Sequence, residues 1–120
     1  MRNDKRRNEM LPFYFVPRNM PNGSEFEYTF HLDFDVADHF GVVAVKDTYR
    51  RAVKCWKKNI KAIAELYIVL NERIWFWYQK GDMALARVYD ELWRKLRAFV
   101  YDDKTKFSRE DLDYFFRMTD

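Results

Sequence analysis

The chain has one cysteine, three glycines and three prolines in 120 residues. A lone thiol, Cys55, excludes a disulfide framework and points to a reducing compartment. So few glycines and prolines leave little room for loops and none for a low-complexity or collagen-like segment. His31 and His39 are the only imidazoles, and no HExxH, ExxH or paired cysteines accompany them. A Gly-rich phosphate loop, a GxSxG turn and any nucleophile–base constellation are also missing. Catalytic, cofactor-binding and metal residues are therefore all read as none, and an enzyme is not expected. The richest apolar run, Ala62 to Tyr78, carries Glu65, Glu72 and Arg73, which argues against a membrane span. The apolar stretch Leu11 to Val16 contains Pro12, abuts Pro17, and is too short for a secretion signal. We expect a cytoplasmic protein with no membrane partner and no small-molecule substrate.

What the chain does have is ring-bearing side chains. Aromatic residues make up 19%, within a composition that is 48% apolar and 34% charged. That balance describes one folded domain long enough for a core of its own. So many rings exceed what a thin helical hairpin can bury, so some are expected at an interface. The net charge of +3 is too small to force a nucleic-acid reading.

The strongest periodic signal lies in residues 47–80. Tyr49, Val53, Trp56, Ile60, Ile63, Tyr67, Leu70, Ile74 and Trp77 alternate steps of four and three, a heptad seam. No glycine or proline interrupts it before Gly81, so the pattern predicts one long helix, starting between Val42 and Asp47 and ending at Lys80. Asp38 and Asp47 are both candidate caps for its start. Gly81-Asp82 then closes one helix and opens a second over 82–101, seamed by Leu85, Tyr89, Leu92, Leu96 and Phe99. Ser108 with Asp111 resembles a capping box, with Phe107 and Leu112 as its staple, and predicts a short helix over 109–118.

Upstream, residues 1–9 read as a flexible basic arm and 10–120 as a single domain. Residues 25–35 alternate strictly, with Phe26, Tyr28, Phe30, Leu32 and Phe34 on one face of a strand. Paired with Phe13–Val16, this predicts a β-hairpin within 12–35. The expected fold class is therefore α+β, mostly α: a long antiparallel helical hairpin with a short C-terminal helix, and a two-stranded β-hairpin packed on it. At 1.5 Å per residue helix one is about 51 Å long and helix two about 30 Å. Val53, Trp56 and Ile60 then need cover from elsewhere, including a second copy. The line Arg51, Lys58, Glu65, Glu72 and Gln79 is expected to face water, and the wider apolar arc of the C-terminal half to be packed on more than one side.

Three surfaces stand out. Trp56, Ile60, Trp75, Phe76 and Tyr78 are candidate partner-interface residues, set against ordinary core packing. Lys46, Arg50, Lys54, Lys57, Lys58 and Lys61 form a candidate nucleic-acid stripe, set against a solvated helix face. Glu25, Glu27, Asp33 and Asp35 make an acidic strand face that serves solubility or acts as a decoy for a nucleic-acid-binding protein. The lysines around Cys55 could lower its pKa, but no histidine partner stands in sequence.

FHLDFDVADHFG, AVKDTYRRAVKCW, ALARVYDELW and the closing DLDYFFRMTD resemble short uncharacterised proteins carried by mobile elements and phages of gut bacteria. The resemblance implies a small accessory or inhibitor protein that binds a host or element-encoded macromolecule, and it brings no activity or site residue. The expected function is a non-enzymatic interaction module that binds protein and forms homo-oligomers. The alternative is a nucleic-acid-binding accessory protein using the lysine and arginine stripe; the decoy inhibitor is a third.

Overall fold

Phe26, Phe30 and Phe34 recur every fourth residue, and that spacing decides the first element. The computed structural model describes residues 24–120, and Ser24–Phe40 is a helix, α1. A period of two contains a period of four. The strict alternation that predicts a strand therefore also supplies a helical stripe, and burial selects the helix. Phe26, Phe30, Phe34 and Ala37 are buried, while Tyr28 and Leu32 from the same alternating set face out, as does Val36 beyond it. This overturns the α+β expectation, because five helices and no strand occur among the described residues. The other half of the expected hairpin, Phe13–Val16, and the basic arm lie outside them.

Gly41 separates α1 from α2, Val42–Trp56. Its φ of 100° and ψ of −170° suit glycine alone, and its N–H still reaches the Ala37 carbonyl at 3.1 Å. Neither Asp38 nor Asp47 caps this helix. Asp38 is occupied by tertiary bonds described below, and Asp47 pairs with Arg51 one turn on at 3.0 Å.

The long helix is also corrected: it is two. After Trp56 the chain turns through Lys57, Lys58 and Asn59, and α3 runs over Ile60–Lys80. Asn59 adopts extended backbone and its side chain accepts from the Ala62 N–H at 3.1 Å, a helix start without glycine or proline. The four-residue step from Trp56 to Ile60 keeps the seam's arithmetic across this corner. Apolar counting therefore sees nothing there, yet the rod is broken near its middle. α2 folds back on α1 and α4, and Phe26 covers Trp56 edge-on at 4.9 Å.

α3 is the axis of the molecule. Residues 62–67 are buried without exception, as are Val69, Leu70 and Arg73, with α1, α4 and α5 packed around them. The enclosed half is thus the N-terminal one, and the C-terminal turns carry exposed Trp75, Phe76 and Tyr78. Gly81, at φ 83°, ends α3 by donating to Trp77 and Tyr78 carbonyls. Asp82 caps α4, Met83–Tyr101, through the Leu85 N–H at 3.1 Å. Ser108 caps α5, Arg109–Thr119, through the Asp111 N–H, and Phe115 of α5 closes the core against Tyr67 at 5.1 Å.

Replacing Asn59 by Ala removes the cap at the corner, and urea denaturation should find the protein about 1 kcal/mol less stable. Asn59→Asp, which keeps the acceptor, should lose far less. Equal losses for the two variants would mean that the cap is not what holds the corner.

Candidate functional site

Glu27, His31, Asp35 and Asp38 lie along one side of α1, spaced by about one helical turn. That side faces α3, and His31, Asp35 and Asp38 meet Glu72, Arg73 and Trp77 in matching order. The two helices therefore run in the same sense. Arg73 is the hub. Its Nη2 donates to Asp35 at 2.8 Å and to Asp38 at 2.5 Å, its Nη1 to His31 Nδ1 at 2.9 Å, and its Nε to the Tyr89 hydroxyl at 3.2 Å. Asp38 also accepts from Trp77 Nε1 at 3.1 Å and from the Tyr89 hydroxyl at 2.5 Å. Burial alone would disfavour the guanidinium. Tyr89, Asp38 and Asp35 outweigh it and hold the Arg73 pKa above its ordinary value, while burial pushes the Tyr89 phenol up. Every charge here is matched by hydrogen bonds, as a buried ion pair requires.

One turn toward the N-terminus of α1 the balance reverses. Glu27, Glu65 and Glu72 converge where α1 meets α3, with His31 Nε2 2.9 Å from Glu72 and 4.0 Å from Glu27. Glu65, expected to face water, is buried, and its Oε1 has no hydrogen-bond partner among the described residues. Burial, followed by the charges of Glu27 and Glu72, pushes its carboxyl up to about 7. Burial and Glu72 raise Glu27 as well. Asp33 stands apart on the core side of α1. Its Oδ1 is likewise without a partner among the described residues, and burial pushes it up to about 7.

A second feature is a cleft of ≈ 520 Å³ between α2 and α4. Tyr49, Val53, Leu92 and Phe99 contribute its apolar lining, and Lys46, Arg50, Lys54, Lys95 and Glu91 its charged groups. Three members of the lysine stripe are thus gathered with a cation from another helix. Lys57 and Lys58 sit instead at the α2–α3 corner, and Lys61 lies in the first turn of α3.

The acidic strand face does not exist as a surface. Glu27 turns to the glutamate cluster, Asp33 is buried, Asp35 binds Arg73, and the Glu25 side chain lies outside the described residues. Of the candidate interface residues, Trp56 and Ile60 are half-buried against the core, whereas Trp75, Phe76 and Tyr78 are exposed. His39 is exposed, and burial raises the Cys55 thiol rather than the lysines lowering it. Sequence reasoning missed Asp38, Arg73, Tyr89 and the glutamate cluster. The available signal was an arginine, beside Glu72, within the largely apolar stretch Ile68–Trp77, where a buried charge needs a partner.

No family model matches this chain, and neither a curated protein nor a solved structure is similar to it. No helix among the described residues is long and apolar enough to cross a membrane.

The two carboxyls pushed up to about 7 give a testable pH dependence. Asp33 and Glu65 start from 3.8 and 4.5 in the open chain and lie near 7 when folded. Between those values the native state holds protons that the unfolded chain has released. Each group therefore lowers stability as pH rises, by up to about 1.4 kcal/mol per pH unit, and the effect levels off above about 7. Asp33→Asn removes one contribution. Denaturant midpoints should show the variant gaining on the parent from pH 5 to 7 and holding that gain at pH 8. A difference independent of pH would contradict the assignment.

Proposed function

We propose that this chain is a non-enzymatic, cytoplasmic protein-interaction module that pairs with a second copy of itself through the outer face of α1. The observation that carries the reading is a line of apolar side chains where a peripheral helix normally presents polar ones. Tyr28, Leu32, Val36 and Phe40 follow one another at four-residue steps, and Val43 continues the line into α2. Tyr28 is 67%, Phe40 78% and Val43 79% exposed. From Tyr28 to Phe40 the line is about 18 Å long, enough for one helix–helix crossing. Its order, ring–aliphatic–aliphatic–ring, reads the same in both directions. Under a two-fold axis Tyr28 meets Phe40 of the other copy and Leu32 meets Val36, so the line is its own complement in size. Exposed Trp75, Phe76 and Tyr78 at the end of α3 add apolar surface for a further protein partner.

Sedimentation equilibrium should return a dimer mass, reverting to monomer in Leu32→Glu and Val36→Glu, both at exposed positions where the fold tolerates charge. A monomer at every concentration up to the solubility limit would end this reading.

A second reading rests on the cleft between α2 and α4. Lys46, Arg50 and Lys54 stand one turn apart on α2 and face the same space as Lys95, an arrangement suited to a nucleic-acid backbone. Affinity for single- or double-stranded oligonucleotides should fall steeply with salt, with a shallower slope in Lys46→Gln and Lys54→Gln. Binding indifferent to salt, or none at low salt, disposes of it.

A further inference from the structure

We infer that the cleft between α2 and α4 is a binding site for a small amphiphilic anion, a phosphate monoester carried on a short apolar chain. Tyr49 and Leu92 are buried and close its floor, and half-buried Val53 and Phe99 complete the apolar lining. Lys46, Arg50, Lys54 and Lys95 line the same space and are exposed, so the cleft opens to solvent between cations. Its volume of ≈ 520 Å³ lies within the range of small-molecule sites, which are mostly apolar with a few convergent polar groups. The sign of a ligand is unmatched charge. Lys46, Lys54 and Lys95 have no ion-pair partner among the described residues. Arg50 reaches Asp47 only at 3.8 Å, and Arg51 holds that carboxylate at 3.0 Å. Against the four cations the lining contains one carboxylate, Glu91. Like charges one turn apart repel, so the folded chain gains from an anion that bridges them. A phosphate monoester has nearly two charges and three outer oxygens, enough to meet several cations at once.

The floor decides that the anion carries a tail. Inorganic phosphate, or the backbone of a nucleic-acid strand, would engage the cations and leave Tyr49, Val53, Leu92 and Phe99 uncovered. An apolar chain covers them and removes its own surface from water. The lining runs from Lys46 to Lys54 and from Glu91 to Phe99, about 12 Å along each helix, which suits a short chain rather than a long lipid tail. Glu91 stands on the α4 wall one turn from Lys95 and opposes an anion there. The head group is therefore drawn to the α2 wall, where three cations stand together. This ligand shares its cations with the strand of the second reading, and the two compete for one space.

The test is a calorimetric titration of the full chain with octyl phosphate, kept below its micelle-forming concentration. It should fill one site and bind at least about tenfold more tightly than inorganic phosphate or octanol. Affinity should rise from butyl to hexyl to octyl phosphate, by at most about fourfold per methylene. Lys46→Gln combined with Lys54→Gln, both at exposed positions, should weaken octyl phosphate at least about tenfold and leave octanol unchanged. Glu91→Gln should tighten octyl phosphate. Circular dichroism melts confirm that each variant is folded. Equal affinity for octyl phosphate and octanol, or binding unmoved in the double lysine variant, overturns the site. Phosphatidic acid bound in vesicles without any binding of octyl phosphate would place the ligand in a membrane surface and overturn the assignment. An oligonucleotide that binds where octyl phosphate does not would overturn it in favour of the strand. Octyl phosphate binding without oligonucleotide binding supports the site and removes the strand reading alone.

Discussion

A single guanidinium sets the arrangement of three helices. Arg73 lies in the apolar middle of α3, and a charge placed there must find partners within reach. It takes Asp35, Asp38 and His31 from α1 and the Tyr89 hydroxyl from α4. Apolar contacts tolerate rotation and sliding, whereas these bonds require particular atoms at particular distances. The network therefore selects one rotation of α1 about its axis and one register of α1 along α3.

That rotation has consequences on both sides of α1. With the polar line turned toward Arg73, Phe26, Phe30 and Phe34 enter the core, and Tyr28, Leu32, Val36 and Phe40 turn to solvent. The proposed contact between copies and the buried ion pair are thus two faces of one constraint. The same rotation delivers Glu27 to Glu65 and Glu72, on the far side of His31 from the satisfied carboxylates. Asp35 and Asp38 have a guanidinium, and the three glutamates have none among the described residues. This asymmetry along a single helix face separates a satisfied ion pair from carboxyls held toward their protonated form.

Punctuation near a helix end was legible in the chain wherever one residue's chemistry is enough. Gly81 can take a left-handed conformation, Asp82 and Ser108 carry short acceptors, and each acts on backbone within a turn of itself. Asn59 carries the same kind of signal, but a seam counted through it concealed the corner. Residues 25–35 were ambiguous for a deeper reason. Eleven residues of strict alternation satisfy both a pleated strand and a helix that buries every second member of the apolar set. Only the position of α2 and α3 chooses between them.

Taken alone, then, the chain determined its helix-ending residues, its aromatic excess, its lack of a disulfide framework and its want of any recognised catalytic motif, because these depend on residue type and short spacing. Tertiary structure decided that residues 24–40 are helical, that the rod bends at Asn59, and that Glu27, His31, Glu65 and Glu72 share one place. The reason is distance along the chain. His31 and Glu72 are 41 residues apart, and no local pattern records a contact that exists only after α3 has been wrapped on several sides.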